Sequence, residues 1–513
     1  MKKFTIIACL LASGTVACAQ MAKPPVKPVA ATPFAKGITA ADLKKHLYIV
    51  AGDDMEGRET GKPGQHKAAK YISEQFKRVG LQPAGVDGSW EQPFSLFQDT
   101  LVTGKIVANG RTLEFGKDFY TGLRENKSQT LAQTGVVFAG YGISNEQMNS
   151  YEGLDVTDKI VLLAEGEPLD ADGKPLFPKS VLKDKLRAAG GKGAKAVFIV
   201  SSNVSQIGRA GSRIRKTGLY FNDEITTMEY IPNSYFISSD MATTLLSTPY
   251  KELQESLKKP KPTPASGQIT ELVFEKGAVE IKSSNVLGML PGTDKKDEYL
   301  FITAHYDHIG VINGKIHNGA DDDGSGTVSV IAMAEAFMKA KRAGKGPRRT
   351  IIFMTVAGEE KGLLGSRYYT DHPIYPLANT VADLNIDMIG RIDPEHAKDT
   401  NYVYIIGDDK LSSDLRPISE KANLQTGLKL DYKYNDPNDP NRFYYRSDHY
   451  MFAQKKIPII FYFNGVHADY HGAGDTPDKI HYPMLAKRAQ LVFYTAWEVA
   501  NRAERIKVDR NEK

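Results

Sequence analysis

The run Gly319-Ala320-Asp321-Asp322-Asp323-Gly324-Ser325-Gly326 places three consecutive carboxylates between glycines. Such a run is ill suited to a core, where an unpaired carboxylate is expensive. It is well suited to holding a divalent cation if more ligands arrive from neighbouring strand ends. Candidates stand where they are needed. His305 ends the apolar run Leu300–Ala304, and Glu359 and Glu360 follow Ile351–Val356. Asp387 ends Val381–Ile386, and His471 follows Ile457–Phe463. Nitrogen and oxygen donors from separate loops suit zinc, or two zincs if one carboxylate bridges. His305 and Asp307 lie two apart on a strand and share a face. The Asp307 carboxylate can therefore accept the second imidazole N–H and fix the tautomer. Of the neighbours Glu359 and Glu360, one can ligate while the other takes a proton from metal-bound water, whose pKa falls from about 16 to about 7.

The elements that must position these groups are legible around them. From Asn285 onward continuous apolar runs alternate with helical stretches. This predicts an α/β fold, a mixed central β-sheet covered by helices on both faces, with its chemistry at the C-terminal ends of strands. One helix starts near Ser325, with Val330, Met333, Ala334 and Phe337 on one stripe. The last follows Pro483, with Leu485, Ala489, Val492 and Ala496 in line. Two earlier helices are expected, one capped by Thr39 and one following Pro63 and ending at Gly80. Between residues 98 and 281 the texture changes to short β-runs such as Val136–Ala139, Lys159–Leu163 and Ala196–Val200, with a helix over Lys183–Ala189. No cluster of His, Cys and carboxylates occurs there. The expected organisation is one domain built from 38–97 and 282–513, carrying the chemistry, with a β-rich α+β domain inserted at 98–281.

At 513 residues the chain exceeds one ordinary domain. The 66 basic residues barely exceed the 61 acidic ones, and no basic stripe with interleaved aromatics is present, so nucleic acid is not an expected partner. Residues 1–19 read as a signal peptide: Lys2 and Lys3, an apolar stretch Phe4–Ala12, and the small-residue site Ala17-Cys18-Ala19. Export to the periplasm or medium is expected, with a membrane attachment only if Cys18 is lipidated. Both cysteines, Cys9 and Cys18, fall in this leader, so neither disulfides nor thiolate ligands are expected beyond it. Residues 20–37, rich in Pro, Lys and Ala, read as an extended solvated linker.

Residues 299–325, 351–366, 381–390 and 445–478 together resemble the co-catalytic di-zinc aminopeptidase family, whose relatives include glutamate carboxypeptidase, the glutaminyl cyclases and the transferrin receptor ectodomain. The resemblance implies two zinc ions, one held by His305, Asp322 and Asp387 and the other by Asp322, Glu360 and His471. It implies that Asp322 bridges, that its bond to Asp323 is cis, and that Glu359 is the general base for hydrolysis by a metal-bound hydroxide. It further implies that Tyr444 stabilises the tetrahedral oxyanion and that the insert is similar to a protease-associated domain. The expected activity is removal of N-terminal residues from peptide substrates. A glutaminyl cyclase-like acyltransferase and a carboxypeptidase share the fold. A non-catalytic receptor-like module is disfavoured by the complete ligand set. His308, His317, His449, His467 and His481 are assigned to hydrogen-bonding or surface roles. Asp321 and Asp323 are expected to shape the turn, and 435–441 to form a loop.

Overall fold

A computed structural model describes residues 30–177, 182–208, 214–222, 231–259 and 262–511. The leader expected at 1–19, with Cys9 and Cys18, lies outside the described residues. The linker falls partly within them, and there the expectation of an extended solvated chain is overturned. Thr32–Ala35 form a short helix, α1. Ala31 and Ala35 are fully buried, and Phe34 stacks on Trp497 with ring centroids 5.8 Å apart. The apolar residues between the prolines gain more from this contact than an extended chain gains from water.

Helix α2 (Ala40–Val50) begins where Thr39 accepts a hydrogen bond from the Asp42 amide, 3.1 Å away. Helix α3 (Pro63–Val79) ends at Gly80, whose φ of 97° is the left-handed conformation that closes a helix. A long strand β1 (Glu91–Ala108) then leads into β2 (Gln129–Phe138), β3 (Ile160–Leu163), helix α4 (Leu182–Gly191), β4 (Ala196–Val200) and β5 (Asn233–Ile237). The chain returns on the 25-residue strand β6 (Ser266–Leu290). There follow β7 (Lys295–His305), α5 (Gly326–Arg342), β8 (Arg349–Val356), α6 (Leu364–Asp371), β9 (Thr380–Ile386) and β10 (Tyr402–Ile406). The last elements used below are β11 (Lys429–Asp431), β12 (Ile459–Phe463) and α7 (Tyr482–Asn501).

These strands form one continuous mixed sheet in the order β11-β10-β12-β9-β7-β8-β6-β2-β3-β4-β5, with β1 paired to β6 outside this path. β7 lies between β8 and β9, parallel to both, with His305 opposite Val356 and Thr303 opposite Asn385. Alternation along β7 serves two cores. Leu300, Ile302 and Ala304 join α2, α3, α5 and α7 on one face. Phe301 joins Ile352, Met354, Val356 and Phe461 on the other. Both faces are covered, which is why these strands read as unbroken apolar runs.

The strands β3, β4 and β5 run parallel and have cores of their own. Ile160, Leu162, Phe198 and Tyr235 pack on one face, and Val161, Leu163, Val197 and Ile199 on the other. The two parts share a seam strand, because β6 pairs with β2 through its first half and with β8 through its last residues. Positions 98 and 281 therefore lie within the paired β1–β6 ribbon, where Gln98 faces Val279 and Leu96 faces Ile281.

Candidate metal centre

Four strand ends deliver the site. β7 ends at His305, β8 leads to Glu359 and Glu360, β9 is followed by Asp387, and β12 leads into the loop bearing His471. Parallel strands put these ends on one edge of the sheet. The fifth contribution is the three-aspartate turn before α5, with a cis bond between Asp322 and Asp323.

The outer two aspartates hold the turn. Asp321 Oδ1 accepts from the Gly390 amide at 2.6 Å. Asp323 accepts from the amides of Gly326, Met388 and His305 at 2.8, 3.1 and 3.2 Å. Asp475 Oδ2 accepts from the amides of Asp321 and Asp322 at 2.9 and 3.2 Å. Below the turn lies Arg58, fully buried. Its guanidinium donates to the carbonyls of Tyr306, Val50, Asn318 and Gly319 at 2.7, 2.9, 2.6 and 2.9 Å. On the far side of Glu359, the Asn285 side chain of β6 donates to the Gly365 carbonyl and accepts from the Ala357 amide. The turn carrying both glutamates is thereby fixed to the sheet.

Asp322 is left with its carboxylate facing two ways. Oδ1 lies 3.2 Å from His305 Nε2, and Oδ2 lies 3.2 Å from His471 Nε2. His305 Nε2 is also 3.6 Å from Asp387 Oδ1, and His471 Nε2 is 3.2 Å from Glu360 Oε2. Ligand atoms on one tetrahedral zinc, each about 2.0–2.2 Å from the ion, stand roughly 3.3 Å apart. The separations match that spacing in two groups sharing Asp322. His305 Nε2 is buried without a hydrogen-bond partner, the condition of an atom that converges on an ion. The residues therefore fit two divalent cations, and His305, Asp322, Glu360, Asp387 and His471 come together as a set.

Asp307 sits differently from its expected place. Asp307 steadies His305, but through its backbone carbonyl, 3.0 Å from Nδ1, while its carboxylate is 3.8 Å away. That carboxylate instead accepts from Thr60 Oγ1 at 2.6 Å and from the Glu359 amide at 3.3 Å. The chain leaves its strand geometry after His305, so the shared-face argument no longer applies. Tyr444 lines a depression beside the centre, with Lys410, Tyr434 and Arg442. The tyrosine that lines the acidic pocket is Tyr470, stacked on His471 at 4.0 Å. Its position immediately before a ligand was the available signal. His308, assigned to a hydrogen-bonding or surface role, is fully buried and belongs to a second cluster with Asp322 and Glu360. Of the remaining histidines, His481 accepts from the Met484 amide, and His317 Nδ1 is 3.2 Å from the His471 carbonyl. His467 Nε2 lies 3.2 Å from Asp321 Oδ2, and His449 Nε2 donates to the Tyr444 carbonyl.

The electrostatics show a site short of positive charge. Burial disfavours a charged His305, yet Asp387 and Glu359 outweigh it and hold its pKa well above the ordinary value. Hydrogen bonds to Asp322 and Glu360 raise His471 to about 10. Burial, reinforced by Glu360 and Asp387 and opposed by His305, lifts Glu359 well above an ordinary glutamate. Glu359 Oε2 is 4.0 Å from His305 Nε2. Asp322, Glu359 and Asp387 open onto a depression walled by Met388, Phe443, Phe461, Phe463, Val466, Arg446 and Tyr470.

Part of the chain is similar to known peptidases. Residues 285–496 match the model of Peptidase family M28. The chain is 29% identical over 240 residues to a probable leucine aminopeptidase of Arthroderma otae, covering 46% of this chain and 62% of that protein. It is 27% identical over 268 residues to a probable zinc metalloprotease of Pyricularia oryzae, covering 44% and 52%. The chain thus spans between half and two thirds of these curated relatives. In fold it is similar to an aminopeptidase from Aneurinibacillus sp. strain AM-1, with a TM-score of 0.51 at 20% identity, over 94% of this chain and 100% of that one. Residues 285–496, about two fifths of the chain, thus carry its likeness to peptidase family M28.

Proposed function

We propose that this protein is an exported di-zinc aminopeptidase that removes N-terminal residues from peptides. The observation that carries the reading is Asp322, with one carboxylate oxygen toward His305 and the other toward His471. His305, Asp322 and Asp387 would hold one ion, and Asp322, Glu360 and His471 the other. Two such ions supply Lewis acidity and a water of lowered pKa. Glu359, in the same pocket but outside both ligand groups, takes the proton of the attacking water and passes it to the leaving amine. Tyr470 donates its hydroxyl to the developing oxyanion, a role closer to hand for it than for Tyr444. Phe443, Phe461 and Phe463 exclude water and receive an apolar side chain. The Arthroderma otae relative, a probable leucine aminopeptidase, supports release of N-terminal residues. Export rests on the leader-like residues 1–19.

The test combines metal analysis with a panel of aminoacyl and peptidyl substrates, with and without a chelator. Two zincs per chain and chelator-sensitive release of N-terminal residues are expected. Glu359→Gln should keep its zinc and lose about 10²–10⁴-fold in turnover. A Glu359→Gln protein as active as the parent removes that role. One zinc per chain with pyroglutamate formation, or release of C-terminal residues only, replaces the aminopeptidase reading.

A further inference from the structure

We propose that the inserted sheet carries a second ligand site, at the carboxyl ends of β3, β4 and β5, that binds a free α-amino acid with an apolar side chain. These three strands are parallel and end at Leu163, Val200 and Ile237. That edge is where α/β sheets take their ligands. Beyond it lies a depression of about 260 Å³, far more than the roughly 10–15 Å³ that a single water needs.

Two opposite charges line this space without neutralising each other. Lys185, near the start of α4, is 9% exposed. Of the three donors on its ammonium, one is used among the described residues, at 2.8 Å to the Gly166 carbonyl. Burial lowers its pKa and the charge of Glu167 opposes this, so the two groups are close enough to interact. Yet they form no ion pair, and the Glu167 carboxylate has no hydrogen-bond partner among the described residues. Glu165, by contrast, is committed. Its oxygens accept from the Ser202 amide at 3.1 and 3.0 Å and from the Ser202 hydroxyl at 3.0 Å.

A buried ammonium is costly when unmatched. A ligand whose carboxylate meets Lys185 while its ammonium meets Glu167 matches both charges at once. An α-amino acid carries those groups side by side. A peptide N-terminus lacks the adjacent carboxylate and a peptide C-terminus lacks the adjacent ammonium, so the pair of charges selects the free amino acid. The rest of the wall suits an apolar side chain. Leu163 and Ile199 are buried in it, Phe236 stacks on Tyr120 with ring centroids 4.7 Å apart, and Leu182 lines it while 39% exposed. Such amino acids are what an aminopeptidase releases. The source of the ligand rests on the function proposed above; the binding does not.

L-leucine serves as the probe, titrated by calorimetry into the intact chain with and without a chelator. One leucine per chain should bind with chelator present. 4-Methylpentanoic acid, which lacks the ammonium, and 3-methylbutylamine, which lacks the carboxylate, should each bind at least tenfold more weakly. Lys185→Met and Glu167→Gln should each weaken leucine binding at least tenfold. Both should release N-terminal residues from a peptide at the parent rate, since neither side chain touches the metal centre. If thermal unfolding shows that Lys185→Met does not fold, the partly exposed Glu167→Gln decides alone. Leucine binding that vanishes with chelator, equal binding of either analogue, or binding unchanged in Glu167→Gln would overturn the site. A chain that binds leucine in this way but releases no N-terminal residues would refute the proposed function and leave the site standing.

Discussion

Arg58 offers the sharpest quantitative test of how the centre is held. Replacement by Met keeps most of the side-chain volume and removes a guanidinium that donates to four carbonyl oxygens at 2.6–2.9 Å. Hydrogen bonds to a charged group are worth about 1.5–3 kcal/mol each, so the gross loss is roughly 6–12 kcal/mol. Water entering the vacated space and the recovered cost of burying a cation offset part of this. The net destabilisation expected for Arg58→Met is about 3–5 kcal/mol, because four buried carbonyls, each costing about 1–3 kcal/mol when unsatisfied, are only partly re-satisfied. Arg58→Lys should recover only part, because an ammonium has three donors for four acceptors and no planar fork. Both tryptophans, Trp90 and Trp497, lie outside residues 98–281, so fluorescence during urea unfolding reports on the part that carries the metal centre. The measurement is made with chelator present, to keep metal binding from adding its own stabilisation. A shift below about 1 kcal/mol for Arg58→Met would show that the carbonyls of Tyr306, Asn318 and Gly319 find other donors, and would refute the reasoning.

Two further outcomes follow from the geometry. Tyr470→Phe keeps the ring stacked on His471 and loses only the hydroxyl; steady-state kinetics should show kcat lower by about 10²–10³-fold with zinc content unchanged, while Tyr444→Phe leaves kcat within about twofold. His449 is fully buried, and burial lowers its pKa to about 3. Its unfolded value is about 6.5, so between these limits the unfolded chain binds the extra proton. Its contribution to stability is complete above pH 6.5 and is lost as pH falls toward 3, by up to about 1.4 kcal/mol per pH unit. His449→Gln should flatten the stability profile across pH 4–6; equal slopes for parent and variant would contradict this.

The candidate metal-binding residues were legible because they obey two strong local patterns, while their division between two ions came from the family resemblance. Each ligand ends or follows an unbroken apolar run, and the acidic turn stands between glycines before a helix. Residues whose roles depend on tertiary approach were not legible. Arg58 lies 248 residues before Tyr306 in the chain, and nothing local marks it as a collector of carbonyls. His308 read as one more polar residue because its burial beside Glu360 depends on room left by Gly319. Tyr470 was passed over although it stands immediately before His471, because its place in the pocket depends on how an irregular loop folds. The chain at 31–35 misled for a compositional reason: proline and lysine suggest a solvated linker, but burial of Phe34 against Trp497 decides the outcome.

The seam strand β6 has a mechanical consequence. At about 3.3 Å per residue its 25 residues span roughly 80 Å, and no flexible tether interrupts them. A tilt of the outer sheet is therefore distributed as bending along a ribbon. The β1 register slips between Leu101 and Thr103, beside Gly277, an irregularity that bends and twists the ribbon locally. The other end of the lever is Asn285, which grips the backbone on either side of Glu359 through Ala357 and Gly365. A large substrate pressing on the outer sheet would thus exert torque on the turn that carries the proposed base.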